Sequence, residues 1–165
     1  MKYIPLTQGK YAIVDATNFE IVNQYKWHYH CSGYAARRGR LGESMVVYLH
    51  QMLLAYNHTT HQVDHINCNR LDNRCSNLRI VTRSQNCMNR NKQKTKTSSQ
   101  YKGVYYCSTE DKWRSVIEFN NKKKHLGRFL TEIEAANAYN NAASELFGQY
   151  ARLNVIEEEN ELCRK

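Results

Sequence analysis

The stretch that decides the fold is VDHINCNRLDNRCSNLRIVTRSQN, residues 63–86. Asp64 and His65 stand side by side at its start. Asn77 follows twelve positions after the histidine, and Asn86 ends the stretch nine positions later. A carboxylate, an imidazole and two amides in one short stretch are candidates to hold a metal ion and to transfer a proton.

Each of these residue types suits the hydrolysis of a phosphodiester. The reaction needs a nucleophile from water and a positive charge near the phosphate and the leaving oxygen. A hard divalent cation, magnesium or manganese, prefers oxygen ligands such as those of Asp64 and Asn86. An imidazole titrates near neutral pH, so His65 can take the proton from the attacking water.

Local signals predict two strands and a helix around these residues. Short apolar runs at 63–66 and 78–81 predict the strands, and the asparagine-rich residues between them predict a long turn. Thr82 with Gln85 three positions later predicts a capping box. Asn86 is therefore expected in the first turns of a helix.

This order of elements, with four local motifs, resembles the ββα-metal fold of the HNH homing endonucleases found mostly in phages. The resemblance implies that His65 is the general base and that Asp64 and Asn86 bind the metal. It also implies that the Asn77 side chain holds the loop. Similar sequences usually carry glycine in place of Cys68, so we expect a differently shaped turn there. The motifs are VDHIN at 63–67, LDNR at 71–74, SNLR at 76–79 and SQN at 84–86.

Composition and length restrict the alternatives. A chain of 165 residues that is 41% hydrophobic is globular and has room for one or two small domains. The sequence has no long apolar run and no secretion signal, so we expect no membrane span and a place in the cytoplasm of the host cell of a phage or mobile element. The six cysteines are expected to be reduced thiols. The alternative is a structural zinc ion at Cys68, Cys75 and Cys87.

The net charge of +9 predicts a polyanionic partner, which we expect to be double-stranded DNA. Residues 1–97 contain 14 Lys and Arg against 5 Asp and Glu, whereas residues 98–165 contain 10 of each. The excess therefore lies in the nuclease half and the segment after it. For any single arginine, a solvated surface charge is the alternative to a phosphate contact. The expected DNA contacts in this half are Arg37, Arg38, Arg40, Arg70, Arg74, Arg79, Arg83 and Arg90.

The second half predicts three strands followed by a helix. Asn120 and Asn121 are a tight hairpin signal between the second and third strands. Thr131 with Glu134 is another capping box, and Gly148 ends the helix that it opens. The strands are expected at 101–106, 112–119 and 122–129.

Scattered motifs in this half resemble the DNA-binding domain of plant ethylene-response factors. They are YKGV at 101–104, LGRF at 126–129, EAA at 134–136 and LN at 153–154. The resemblance implies that the sheet lies in the major groove of DNA. Several positions where the plant proteins have arginine hold other residues here, so a base preference does not carry over. The expected DNA contacts are Lys102, Tyr105, Arg114, Lys123 and His125, whereas Trp113 and Phe129 are expected in the core.

The predicted fold class is α+β, an N-terminal ββα-metal HNH module followed by a small three-stranded antiparallel sheet packed on one helix. We assign a nuclease domain, a basic linker, a DNA-binding domain and an acidic tail. Their bounds are 1–92, 93–98, 99–154 and 155–165.

The first sixty residues are expected to complete the nuclease core. His50 can approach the active site, or it can be a hydrogen-bonded core residue. The elements predicted in this lead-in are a strand at 7–14, a helix at 19–27, strands at 29–37 and 44–48, and a helix at 49–55.

These observations predict a divalent-metal-dependent DNA endonuclease of a mobile element, which binds duplex DNA as a monomer and nicks one strand. One alternative is a DNA-binding regulator whose nuclease fold has lost its activity. The other is an RNA-binding protein, because a basic sheet rich in aromatic residues also suits single-stranded RNA.

Overall fold

The computed structural model describes residues 1–92 and 97–156. The chain forms two compact units, Met1–Cys87 and Met88–Lys165. Helices and small antiparallel sheets are mixed along it, in agreement with the predicted α+β class. Within the described residues, no helix is both long enough and apolar enough to cross a membrane.

The assignment of a linker and a tail stays a prediction. Residues 93–96, which make up most of the expected basic linker, lie outside the described part of the chain. Residues 157–165, which hold the charges of the expected acidic tail, lie outside it as well.

The first unit is built from three small antiparallel sheets. The strand pairs are β1 with β2 and β6 with β7, and β3, β4 and β5 form a three-stranded sheet in that order. The elements along the chain are β1 (Lys2–Pro5), β2 (Tyr11–Val14), α1 (Ala16–Asn23), β3 (His28–Tyr29), β4 (Ala35–Arg38), β5 (Val46–Tyr48), α2 (Leu49–Leu53), β6 (His61–His65), β7 (Leu78–Thr82) and α3 (Arg83–Met88).

The core of the first unit comes from the lead-in. Ala12 and Val14 alternate along β2 with more exposed residues and are fully buried, as expected for a strand with one face on a core. Val22 of α1 and Leu49 of α2 are also fully buried, and they belong to the same apolar cluster. Trp27 completes it and donates its Nε1–H to the carbonyl of Val22 at 2.9 Å.

The prediction of one strand at 29–37 is wrong, because a turn divides this segment into β3 and β4. His30 donates its N–H to the carbonyl of Tyr34 at 2.9 Å, which closes a hairpin. Gly33 takes a φ of +85° in that turn, a conformation that glycine adopts without steric cost. The first helix also begins and ends earlier than predicted, and β1 was not expected.

The strand, turn, strand and helix predicted at 63–86 are present as β6, β7 and α3. The two strands pair antiparallel, with Asp64 opposite Arg79. The predicted capping box is formed at the start of α3. Thr82 donates its N–H to Oε1 of Gln85 at 2.9 Å, and Gln85 donates its N–H to Oγ1 of Thr82 at 3.3 Å.

The second unit contains one antiparallel sheet and one long helix. Asn120 and Asn121 have φ values of 51° and 60°, and they form the tight hairpin turn between the last two strands. Thr131 and Glu134 form the capping box of the helix. The elements are β8 (Val104–Cys107), β9 (Lys112–Phe119), β10 (Lys122–Phe129) and α4 (Glu132–Phe147), with the strands in the order β10, β9, β8.

Small residues let α4 lie close to the sheet. Ala135, Ala136 and Ala143 are fully buried on the helix. Gly103, which precedes β8, has a φ of +76°, and a Cβ added there would lie 2.1 Å from the ring of Tyr139. The helix therefore covers one face of the sheet and leaves the opposite face to solvent.

Candidate active site

The candidate site is centred on the end of β6, where Asp64 and His65 are both buried. Asp64 is held from the facing strand by Arg79, whose Nε donates to Oδ2 of the carboxylate at 2.8 Å. Arg79 Nη2 lies 2.8 Å from the same oxygen. The buried carboxylate thus has a cationic partner, which a buried charge requires.

The loop between β6 and β7 is closed by the amide of Asn77. Its Oδ1 accepts the N–H of Asn67 at 2.9 Å, and its Nδ2 donates to the carbonyl of Asp72 at 2.8 Å. The backbone carbonyl of Asn77 also accepts the N–H of Ile66 at 2.9 Å. Cys68 adopts a φ of 63°, so the turn after His65 keeps a conformation that glycine favours.

A second buried acid stabilises this loop. Arg74 donates through Nε and Nη2 to the two carboxylate oxygens of Asp72, both at 2.7 Å. The hydrogen bonds from Arg74 lower the pKa of Asp72 below its usual value. Asn67 donates its Nδ2–H to the same carboxylate at 2.9 Å, which ties the start of the loop to its middle.

His65 lies against two other rings in the interior of the first unit. The ring centroid of His50 is 5.1 Å from that of His65, and the centroid of Tyr34 is 5.8 Å away. Burial lowers the pKa of His65, although a hydrogen bond to Asn73 opposes this effect. The imidazole is therefore neutral at neutral pH, which is the state that a general base needs.

His50 is a buried residue that lies beside the candidate site. Its ring contacts that of His65, so it does approach the candidate site. Its buried Nδ1 has no hydrogen-bond partner among the described residues. Burial, with a smaller contribution from His65, lowers the pKa of His50 to about 3.

Asn86 reaches the Asp64 side of β6 through a residue that the sequence did not single out. Its Nδ2 donates to Oε1 of Gln62 at 2.7 Å. Gln62 precedes Asp64 by two positions on a strand, so the two side chains lie on the same face. The sequence signal that could have identified Gln62 is the alternation of side chains along a strand, which places residues two positions apart on the same face. With Nδ2 used in this way, the Asn86 amide presents its carbonyl oxygen as the remaining acceptor.

The residues present fit a hard divalent cation. Asp64 offers carboxylate oxygen and Asn86 offers amide oxygen, the ligand types that magnesium and manganese take alongside water and substrate phosphate. Across residues 1–92 and 97–156, no three His, Cys, Asp or Glu side chains come together as a metal-binding group. Two protein oxygen ligands would leave the other coordination positions of such an ion to water and substrate oxygens.

The arginines predicted to contact DNA differ in their availability. Arg37 is only 4% exposed, and its Nη1 and Nη2 each donate to a carboxylate oxygen of Glu43 at 2.7 Å. Its guanidinium also lies 4.3 Å from the ring centroid of Tyr25. The assignment of Arg37 as a DNA contact is therefore corrected to a structural role, because its charge is used inside the unit. Arg38 beside it is exposed.

The remaining arginines fall into a paired and an exposed group. Arg74 and Arg79 pair with the two buried acids of the site. Arg70 donates its Nη1–H to the carbonyl of Ser32 at 2.6 Å, and it lies over the ring of Tyr34. Arg70 is nevertheless exposed, as are Arg40, Arg83 and Arg90.

In the second unit, the pairing register places most of the expected DNA contacts on one face of the sheet. Tyr105 lies opposite Arg114, and His125 lies opposite Val116. Lys123 lies opposite Glu118, two positions further along β9. This face is opposite to the one that carries the buried Ser115 and Ile117 on β9. We call it the outer sheet face.

Two of the expected contacts in this unit have protein partners. Lys102 donates its Nζ–H to the carbonyls of Met88 and Arg90 at 2.8 and 2.7 Å. Arg114 pairs with Glu110. Trp113 and Phe129 pack against the apolar cluster beneath the sheet, as expected from the sequence.

An antiparallel strand pair followed by a capped helix, with an Asp-His pair at the end of the first strand, defines a ββα nuclease of the HNH type. The model of the HNH endonuclease family matches residues 57–88. An uncharacterized HNH endonuclease of Acanthamoeba polyphaga mimivirus is 32% identical over 151 residues, which is 91% of this chain and 78% of that protein. No solved structure matches the chain at a significant level. The chain belongs to the HNH endonuclease family.

We expect Asn77→Ala to destabilise the first unit by about 1–3 kcal/mol, because the buried carbonyl of Asp72 and the N–H of Asn67 lose their partner. Urea unfolding followed by Trp27 fluorescence in a Trp113→Phe background measures this loss. Asn77→Asp keeps the acceptor for Asn67 but places a buried carboxylate oxygen against the carbonyl of Asp72, so it should lose at least as much. Asn23→Ala, at an exposed site, is the control. Equal stabilities of Asn77→Ala and the control would contradict the assigned role of the amide.

We also expect the stability of the first unit to fall as the pH is lowered below about 6.5. The folded state keeps His50 neutral, with its pKa lowered to about 3, while the unfolded chain binds a proton near pH 6.5. The stability contributed by neutral His50 is therefore complete above pH 6.5 and decreases by up to about 1.4 kcal/mol per pH unit below it. His65 adds to this slope in the same direction.

The same fluorescence assay between pH 7.5 and pH 5 measures the slope for the wild type and for His50→Phe. The variant removes the titrating group and keeps an aromatic ring in the cluster, so its slope should be smaller. Identical slopes in the two proteins would show that His50 is not held neutral by the fold.

Proposed function

We propose that the protein is a divalent-metal-dependent endonuclease that nicks duplex DNA, in which Asp64 and Asn86 hold the ion and His65 is the general base. The observation that carries this proposal is the arrangement around β6. Gln62 brings Asn86 to the face of Asp64, and neutral His65 follows Asp64 directly. Membership of the HNH endonuclease family, which implies DNA as the substrate, supports it.

In the proposed reaction, the oxygen of a water molecule attacks the scissile phosphorus. His65 takes the proton of that water as the new P–O bond forms and the P–O bond to the leaving oxygen breaks. The leaving oxygen then receives a proton from solvent. A bound magnesium or manganese ion supplies positive charge to the phosphate and the leaving oxygen. Asn77 holds the loop that follows His65, and thereby the position of the imidazole.

One active site in one chain cuts one strand at each encounter. We therefore propose that a monomer nicks DNA and that a double-strand break needs two events. The outer sheet face of the second unit is proposed to bind the duplex through Lys123, His125 and Tyr105, which are exposed. We propose that the residues before this sheet contact DNA phosphates through Arg38, Arg40, Arg83 and Arg90. We propose a homing or mobile-element role on the resemblance to phage enzymes.

We expect the wild-type protein with magnesium or manganese to convert supercoiled plasmid to the nicked circle first, and a chelator to stop the reaction. His65→Ala should slow nicking by about 10²- to 10⁴-fold, the usual contribution of a general base. Gel analysis of the topological forms over time measures both rates. Cys87→Ser, which changes an exposed neighbour of Asn86 on α3, is the control and should nick at the wild-type rate.

Two results would overturn the catalytic assignment. Equal rates for the wild type and His65→Ala would remove the histidine from the reaction. Absence of nicking with any divalent ion, combined with retained binding of duplex DNA, would favour a regulator that has lost nuclease activity.

Lys123→Gln should weaken binding to a mixed-sequence duplex uniformly and reduce the slope of log affinity against log salt by about 1, because one phosphate contact is lost. Fluorescence anisotropy at several salt concentrations measures the slope. Glu145→Gln on α4 changes the charge on the opposite side of the sheet and should leave the slope unaltered. Tighter binding of a single-stranded RNA of equal length than of the duplex would contradict the proposed substrate.

A further inference from the structure

The imidazole of His65 has one nitrogen in contact with a buried amide that no sequence motif assigned to the reaction. Nε2 of His65 lies 3.2 Å from Oδ1 of Asn73. Asn73 is 1% exposed, so water does not compete for this contact. Because Asn73 is buried and contacts the imidazole, it can influence His65 but cannot contact DNA.

The amide of Asn73 can take only one orientation. Its Nδ2 donates to the carbonyl oxygen of Leu71 at 3.1 Å. Rotation of the amide by 180° would place Oδ1 against that carbonyl oxygen, and two acceptors would then face each other. The carbonyl of Leu71 is fixed in turn, because it accepts the N–H of Ile13 at 2.8 Å. The oxygen of the amide is therefore the atom that faces His65.

A carbonyl oxygen only accepts hydrogen bonds, so the imidazole nitrogen that faces it must carry the hydrogen. In a neutral imidazole the other nitrogen then holds the lone pair. We infer that Asn73 is a positioning residue of the nuclease site, which holds His65 in the Nε2–H tautomer and makes Nδ1 the nitrogen that accepts the proton of the attacking water. The second part of this inference rests on the proposed function of His65.

The support for Asn73 comes from outside the residues that the family model matches. The backbone N–H of Asn73 donates to the carbonyl of Ile13 at 2.8 Å, and Ile13 forms a parallel bridge with Asp72. Ile13 belongs to β2, whose neighbours Ala12 and Val14 are fixed in the apolar core. The lead-in therefore sets the position of Asn73, and through it the orientation of the catalytic imidazole.

The tautomer can be measured directly in the wild-type protein, without DNA and without metal. Long-range ¹H–¹⁵N NMR spectra at pH 8 distinguish a protonated from an unprotonated ring nitrogen for each histidine. The signals of His65 are those that disappear in His65→Gln. We expect a protonated Nε2 and an unprotonated Nδ1. A protonated Nδ1 would overturn the inference whatever the protein does to DNA.

Replacement of Asn73 tests whether it causes this state. Asn73→Leu has a similar volume but no acceptor, so His65 should show a mixture of both tautomers. Asn73→Asp keeps an acceptor oxygen beside Nε2, so that nitrogen should carry a hydrogen in the folded variant, although the second oxygen of Asp faces the carbonyl of Leu71. If Asn73→Leu keeps the wild-type tautomer, Asn73 is not the residue that sets it. If Asn73→Leu does not fold, the wild-type spectrum decides alone.

Nicking kinetics separate positioning from DNA binding. Asn73→Leu should lower kcat by about 10- to 100-fold, the usual effect of a residue that orients a reacting group. KM for plasmid should stay unchanged, because the buried Asn73 cannot touch DNA. Asn73→Asp should recover part of the loss in kcat. A rise in KM with an unaltered kcat would contradict the inference.

Failure of the proposed function and failure of this inference give different results. If the wild-type protein shows the Nε2–H tautomer but nicks no DNA with any divalent ion, the orientation of His65 by Asn73 stands and the proposed reaction is wrong. If the wild-type protein nicks DNA but shows the Nδ1–H tautomer, the proposed reaction stands and the role inferred for Asn73 is wrong.

Discussion

The amide of Asn77 is the group on which the rest of the nuclease site depends. It binds both the N–H of Asn67 and the carbonyl of Asp72, so one buried side chain joins the start of the loop to its middle. Closing a loop of this length costs chain entropy, which the hydrogen bonds offset. Because the loop begins directly after His65, its closure fixes the end of β6 and with it the imidazole. The contacts of Asn77 are structural, and they bear on the proposed general base, His65, through this loop.

Charge is balanced within the site before any substrate arrives. The two buried acids, Asp64 and Asp72, each have an arginine at 2.7 or 2.8 Å. Because an unpaired buried carboxylate would cost several kcal/mol, the pairs are a condition of burial and are weak evidence of added stability. This changes how the basic composition of the first half must be interpreted. Part of its positive charge neutralises acids inside the fold, and the charge left for DNA belongs to exposed residues such as Arg38 and Arg83.

Spacing along the sequence was sufficient for β6, β7 and α3, because each has a local signal: an apolar run for the strands and a capping box at Thr82 for the helix. The same holds for α4 and for the hairpin at Asn120. Contacts that join distant segments had no such signal. The turn at Gly33 was missed because strand-like residues flank it on both sides. The burial of Arg37 depends on Glu43 and Tyr25, which come together only in the folded sheet. Asn73 was visible within a motif, but its role follows from a carbonyl of Leu71 that sequence does not orient.

These long-range contacts explain why the nuclease motif cannot be separated from the lead-in. Residues 57–88 supply two paired strands and one short helix, and a unit of that size cannot bury enough apolar surface to be stable alone. The lead-in supplies the missing core, and it also supplies the wall of the site. Tyr34 and His50 lie against the ring of His65, and Ile13 holds the loop that carries Asn73. The motif therefore carries the proposed reacting groups, whereas residues far from it in the sequence contribute to their orientation.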